Sequence, residues 1–200
     1  MSEIVVPDQD EIVARTPWLS RPTQSNRSRW TGRRKVIGLP GAEVWQGNVQ
    51  LSDVATEAAE RKWRAFLYAL RGSQNWFRYI LPCNTHSGAM PTVRTGASIG
   101  YTLPLEGMAA NQTVLEVGQF LTVPMPSGHF RTVCLMADLQ TNGLGESTAV
   151  FEPALNEIPV VGAQVETRDP FIPMASKSPD LPMEQANGVS GFAFDVEEAM

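Results

Sequence analysis

The chain has 200 residues, 42% hydrophobic and 18% charged, with a formal net charge of −5 at pH 7. That length suits one compact domain or two small ones with a substantial core, and the apolar content excludes a disordered body. No apolar run approaches the roughly 20 residues that a membrane-spanning helix needs, so no membrane anchor is expected.

The opening "MSEIVVPDQDEIVAR" begins with acids where a secretory signal needs a basic start and a longer apolar run, so synthesis in the cytoplasm is expected. Residues 1–29 hold prolines, serines and charges without sustained periodicity and read as an extended N-terminal arm. Charge is uneven along the chain. Arg15, Arg21, Arg27, Arg29, Arg33, Arg34 and Lys35 follow one another with no acid between them, whereas from Asp138 onward only Arg168 and Lys177 oppose the acids. Such asymmetry fits a solvated basic loop, complementary surfaces on neighbouring copies, or a nucleic-acid arm. The last is the weakest reading, because only Trp18 and Trp30 supply aromatics among the arginines.

Lys35 to Ile37 and Glu43 to Leu51 read as two strands, and the glycines Gly38 and Gly41 between them predict that they pair as a hairpin. Along the second, Trp45, Gly47, Val49 and Leu51 share one face. A helix is predicted over residues 56–71. Ala59, Trp63, Phe66, Leu67 and Leu70 form a continuous apolar stripe, Thr56 is available as a cap, Glu57 and Glu60 suit the positive end of the dipole, and Gly72 suits the exit. The segment "NWFRYIL", containing Trp76, reads as a strand stopped by Pro82. Strands are then predicted at 93–97, 98–105, 114–123, 130–139, 146–151 and 160–167, with turns in "PSGH" and "TNGLGES". Residues 173–200 are too poor in apolar runs to fold alone and read as an extended C-terminal arm, in which Phe192, Phe194 and Val196 alternate like a strand. The expected fold is mainly β, a β-barrel or β-sandwich over residues 30–172 with one amphipathic helix packed against it. Its core candidates are Trp45, Trp63, Phe66, Leu67, Leu70 and Trp76.

Chemistry is sparse. His86 and His129 lie in no metal-ligand spacing, and Cys83 and Cys134 are far apart and suit buried small hydrophobes. No P-loop is present. Glu152, Glu157 and Glu166 are the carboxylates that strands could bring together, but no spacing marks a catalytic pair. No enzyme activity and no cofactor are expected.

The order "RRKVIGLPGAEVWQGNVQLSDV", "WRAFLYALRGSQNWFRYILP", "LEVGQFLTV", "ADLQTNGLGESTAVFEPAL" and "IPVVGAQVET" resembles the distal tail proteins of long-tailed bacteriophages. In that pattern a Trp-bearing hairpin precedes a W-x-A-F-x-x-x-L-R-G helix, a G-Q-x-L strand follows, and an F-x-P-x-L…P…G element closes a β-barrel. The resemblance covers about residues 30–172. It implies a ring, hexameric in the family, between the tail tube and the baseplate or host-contact apparatus. The implied partners are further copies of the chain, the tail tube protein and the baseplate hub or other tail proteins. The implied location is the virion, after assembly in the host cytoplasm, with nucleic acid met only as DNA passing through the lumen. Trp18, Arg27, Arg29, Arg33, Arg34, Phe192 and Phe194, all in or beside the arms, are the candidate inter-subunit residues. The alternative reading is a β-sandwich carbohydrate-binding module, which requires exposed tryptophan platforms.

Overall fold

The structure is a computed structural model that describes residues 1–9, 12–38, 42–51, 56–82, 86–178, 184–186, 189–191 and 193–199. The chain is mainly β, and its elements begin with β1 (Ile12–Ser20), β2 (Thr23–Arg27), β3 (Arg34–Gly38), β4 (Val44–Leu51), α1 (Glu57–Leu70) and β5 (Phe77–Ile80). There follow β6 (Thr92–Val93), β7 (Gly100–Glu106), β8 (Thr113–Leu115), β9 (Phe120–Pro124), β10 (Phe130–Leu135), β11 (Leu139–Gln140) and β12 (Ser147–Leu155). The last are β13 (Phe171–Ser176), β14 (Glu184–Ala186), β15 (Val189–Gly191) and β16 (Ala193–Glu198). No helix among the described residues is long and apolar enough to cross a membrane. The chain forms two compact units, one of Met1–Trp18, Trp45–Tyr79 and Ile172–Met200, the other of Leu19–Val44 and Ile80–Phe171.

The first unit is built on a five-stranded sheet of order β1-β4-β16-β13-β5. Helix α1 starts where Thr56 Oγ1 accepts the Ala59 N–H at 3.3 Å, an N-cap that satisfies one of the otherwise unpaired amides of the first turn. Glu60 pairs with Arg64 one turn on. The chain leaves the helix through two left-handed residues, Arg71 (φ 50°) and Gly72 (φ 64°), so the turn predicted at Gly72 begins one residue earlier. Asn75 secures this end: its side chain donates to Ala69 O at 2.9 Å and its N–H to Leu70 O at 3.1 Å. The apolar stripe Trp63, Phe66, Leu67 and Leu70 is buried, as expected. A run of edge-to-face ring contacts continues it, Trp63 to Phe66 (5.4 Å), Phe66 to Phe77 (5.5 Å) and Phe77 to Phe194 (6.2 Å), and so ties the helix to β5 and β16.

That contact corrects the arm assignments. Phe194 and Val196 are buried, β16 pairs antiparallel with both β4 and β13, and every residue of β13 is buried. Much of residues 173–200 therefore lies within the subunit's own sheet. The physical reason is the alternation itself: with Phe194 and Val196 on one face, β16 gains more by filling a gap beside β4 than by waiting for a neighbour. Part of the N-terminal arm is held too. Ile4 N–H donates to Trp76 O at 2.7 Å, Trp76 N–H to Ser2 O at 3.1 Å, and Glu3 pairs with Arg78 at 2.7 Å. Trp76, which bridges Glu3 just before β5 begins, is half-buried rather than core.

The second unit has an antiparallel sheet of order β6-β7-β12-β10-β9 around a core that includes Leu103, Leu105, Leu121, Val133, Leu135, Phe151 and Val165, all essentially inaccessible. The "PSGH" turn joins β9 to β10 as predicted, closed by Met125 N–H to His129 O at 2.8 Å. The long strand predicted at 114–123 is split into β8 and β9 by a turn at Gly118 (φ 87°). Residues 160–167 form no continuous strand. Instead Gln164 bridges Thr92 on one edge strand and Glu166 bridges Thr122 on the other, so a single crossing segment engages both edges and closes the curled sheet. Thr122 Oγ1 both accepts the Phe171 N–H and donates to Phe171 O, each at 2.8 Å, and Thr132 Oγ1 donates to the same carbonyl.

Candidate interaction surface

The pairing predicted between Lys35–Ile37 and Glu43–Leu51 is not the one formed. β3 pairs with the preceding β2, in the register Thr23↔Gly38 to Arg27↔Arg34, and β4 pairs with β16. The turn that makes this possible lies in "SRWTGR": Ser28 Oγ accepts the N–H groups of Trp30 (3.3 Å) and Thr31 (3.2 Å), and Gly32 adopts φ 66° and donates to Ser28 O at 3.0 Å. A glycine is required there, since a side chain resists that left-handed backbone.

The result is a ribbon on which every residue from Arg21 to Gly38 is exposed. Its root is fastened within the second unit on both sides: Arg21 pairs with Glu152 of β12, and Arg131 of β10 donates to Glu43 O at 2.8 Å. Its tip carries Trp30, 97% exposed, beside Arg29, with Arg33 and Arg34 following. Val36 and Ile37 are half in water at 51% and 48%. Among the described residues no carboxylate pairs with Arg27, Arg29, Arg33, Arg34 or Lys35; Arg27 Nε donates to Gly32 O at 3.2 Å. The arrangement is a preformed cationic prong with an indole at its end.

Four of the candidate inter-subunit residues, Arg27, Arg29, Arg33 and Arg34, come together on this ribbon, and Trp18 on β1 is 44% exposed. Phe194 is in the core, which removes it from that set, and Phe192 lies outside the described residues. Trp45, Trp63, Phe66, Leu67 and Leu70 are buried in the first unit. Trp30 is the exposed tryptophan that the carbohydrate-binding alternative requires, and Val36 and Ile37 are exposed apolar side chains that the inter-subunit candidates do not include; the serine and glycine around Trp30 are the sequence signal for a turn there.

The groups with chemical potential are each engaged structurally. His86 Nδ1 lies 2.7 Å from Thr167 Oγ1, and burial, then the Arg168 guanidinium, lowers its pKa. Burial, then the Glu152 carboxylate opposite it, pushes the Cys134 thiol up, away from the reactive thiolate. Glu157 accepts from Ser127 N (3.1 Å) and Oγ (2.6 Å), while Glu166 accepts the N–H groups of Arg168 and Asp169. Cys83 lies outside the described residues. No group of three or more His, Cys, Asp or Glu among the described residues is placed to hold a metal ion. No protein-family model matches the chain, and no curated protein matches it.

Proposed function

We propose that this protein is a structural component of a bacteriophage tail, a distal tail protein whose copies form a ring that joins the tail tube to the baseplate or host-contact apparatus. The observation that carries the reading is the uncovered β2–β3 ribbon. A two-stranded ribbon with neither face packed is at best marginally stable in water, and this one adds an exposed Trp, two exposed branched aliphatics and a run of cations that no carboxylate among the described residues pairs. Trp and Arg are the residues that carry binding energy at protein interfaces. An arm that projects from one face of a subunit and docks on a different face of the next is a heterologous contact, the kind that closes rings.

The positions that bear the resemblance support the same reading from the side of the fold. In the W-x-A-F-x-x-x-L-R-G run, Trp63, Phe66 and Leu70 are buried and Arg71-Gly72 turns the chain. G-Q-x-L is the Gly118 turn into β9, and F-x-P-x-L is the inner half of β12, with Phe151 and Leu155 in the core. The ring is sixfold by that family resemblance, with the tail tube protein and baseplate hub as its other partners, no cofactor, and a place at the virion's tail tip or baseplate.

A carbohydrate-binding module is favoured by one observation, the exposed Trp30, on which a sugar ring could stack; Trp45 and Trp63 are not accessible to a ligand. Sedimentation velocity and negative-stain imaging of the purified protein, alone and with tail tube protein, separate the two. Closed rings of uniform size are expected. A monomer under both conditions that binds a glycan array through Trp30 overturns the tail reading.

A further inference from the structure

We infer that the basic ribbon of one copy docks on the outer face of the β4–β16 strand pair of a second copy, with Arg27 and Arg34 meeting Asp195 and Glu197. The inference rests on the ring reading and specifies which two faces meet.

The ribbon's charges are arranged at a cost. Arg27 stands directly opposite Arg34 in the antiparallel register, so both side chains leave the same face with Cβ atoms roughly 5 Å apart. Like charges so placed repel, and no acid of the described chain lies between them. On the other face Lys35 is opposite Asn26, and Ile37 opposite Gln24. A carboxylate set between the two guanidiniums would turn this repulsion into charge-assisted, bidentate hydrogen bonding.

The first unit offers the complementary feature. On β16, Phe194, Val196 and Glu198 are buried, so Asp195 and Glu197 point to the outer face, about 7 Å apart along the strand. Opposite them on β4 stand Asn48 and Gln46, whose amides donate to Asp195 Oδ1 at 3.0 Å and Glu197 Oε2 at 3.5 Å. No ion pair reaches either carboxylate among the described residues, although Lys177 donates its backbone N–H to Asp195 O. Three other acids are already held by arginines, Glu152 by Arg21, Glu146 by Arg94 and Glu3 by Arg78. β4 and β16 are interior strands of a five-stranded sheet with an aromatic core behind them, so this acidic face is rigid before anything binds. Two faces of opposite sign on one chain, the acidic one rigid before it binds, give a contact that propagates from copy to copy. A nucleic acid would satisfy the arginines but would leave Asp195 and Glu197 unanswered, and the chain's net charge of −5 opposes it.

The test is a charge swap. Four full-length proteins are compared by sedimentation velocity at low and high salt: wild type, Arg27→Glu/Arg34→Glu, Asp195→Lys/Glu197→Lys, and all four changes together. Each reversal alone is expected to raise the concentration needed for assembly by about tenfold or more, and the combination to return it to within about threefold of wild type. Asp195→Asn/Glu197→Gln keeps the shape of the face, should melt like wild type, and should weaken assembly to a lesser degree than the reversal. Assembly that is lost in both reversals and not recovered in the combination overturns the pairing while the ring stands, as does assembly indifferent to all of them. A wild type that stays monomeric overturns the pairing and the ring together. Binding of a labelled single-stranded oligonucleotide that vanishes with Arg27→Glu/Arg34→Glu, with assembly unchanged, assigns the ribbon to nucleic acid instead.

Discussion

Trp63 and Trp30 mark two regions of this molecule that use the same residue types to opposite ends. Trp63 is 1% exposed and begins a chain of ring contacts through Phe66 and Phe77 to Phe194, while Trp30 is 97% exposed on a ribbon whose residues from Arg21 to Gly38 are all exposed. Arginines divide in the same way: Arg64 and Arg78 each have a carboxylate, and Arg27, Arg29, Arg33 and Arg34 have none among the described residues. What separates the regions is periodicity. Trp63 sits in a stripe that a helix can bury against a sheet, and Trp30 sits in a turn between two strands with no apolar face of their own. The first region makes the fold; the second is free to act outside it.

The comparison breaks most severely if β16 is not part of the first region. Deleting residues 193–200 removes an interior strand with Phe194 and Val196, and should unfold the first unit outright. Circular dichroism and limited proteolysis would show it; a truncated protein that melts like wild type would return the C-terminal segment to the status of an arm. Next in size is Trp63→Ala, expected to cost about 3–5 kcal/mol in urea unfolding, because a buried indole leaves a cavity that its neighbours cannot fill. In the second unit, Thr122→Val should cost about 1–3 kcal/mol by the same measurement, since it removes the hydroxyl that accepts the Phe171 N–H and leaves the Phe171 C=O with Thr132 Oγ1 in place of two hydroxyl donors. Smaller still is a pH effect at His86. Burial and Arg168 hold its pKa below the ordinary 6.5, so as pH falls beneath that value the unfolded chain takes up a proton first and stability declines until the folded-state value is passed. The loss should be slight, because the ring is only partly buried. His86→Gln should flatten the melting temperature against pH below 6.5, and an unchanged slope would remove His86 as its source.

Much of the first region is legible in the sequence. Helix α1 is announced by its cap, its stripe and its exit, and the buried face of β4 by strict alternation, because both signals are local. The partner of each strand is not local. Glycines after Ile37 favour a turn toward β4, yet β3 pairs backward through the turn that Ser28 and Gly32 make, and "TQSNR" has no apolar alternation to reveal β2. The strand character of β16 is visible in Phe194 and Val196, but its place beside β4, about 145 residues earlier, depends on a gap that only the assembled sheet creates. Residues 160–167 alternate like a strand and cross between two edges instead, since each edge needs one bridge to be closed. The arginines of the ribbon are plain in the sequence; that they stand uncovered around Trp30 is not.

The proposed division between a region that folds the chain and a region that joins copies of it is tested most directly by replacing Thr23–Gly38 with a short Gly-Ser linker between the retained anchors Arg21 and Glu43, and measuring melting temperature and sedimentation together. The ribbon's exposure predicts a melting temperature close to that of wild type with ring assembly abolished. A variant that fails to fold, or one that still closes rings, would contradict it.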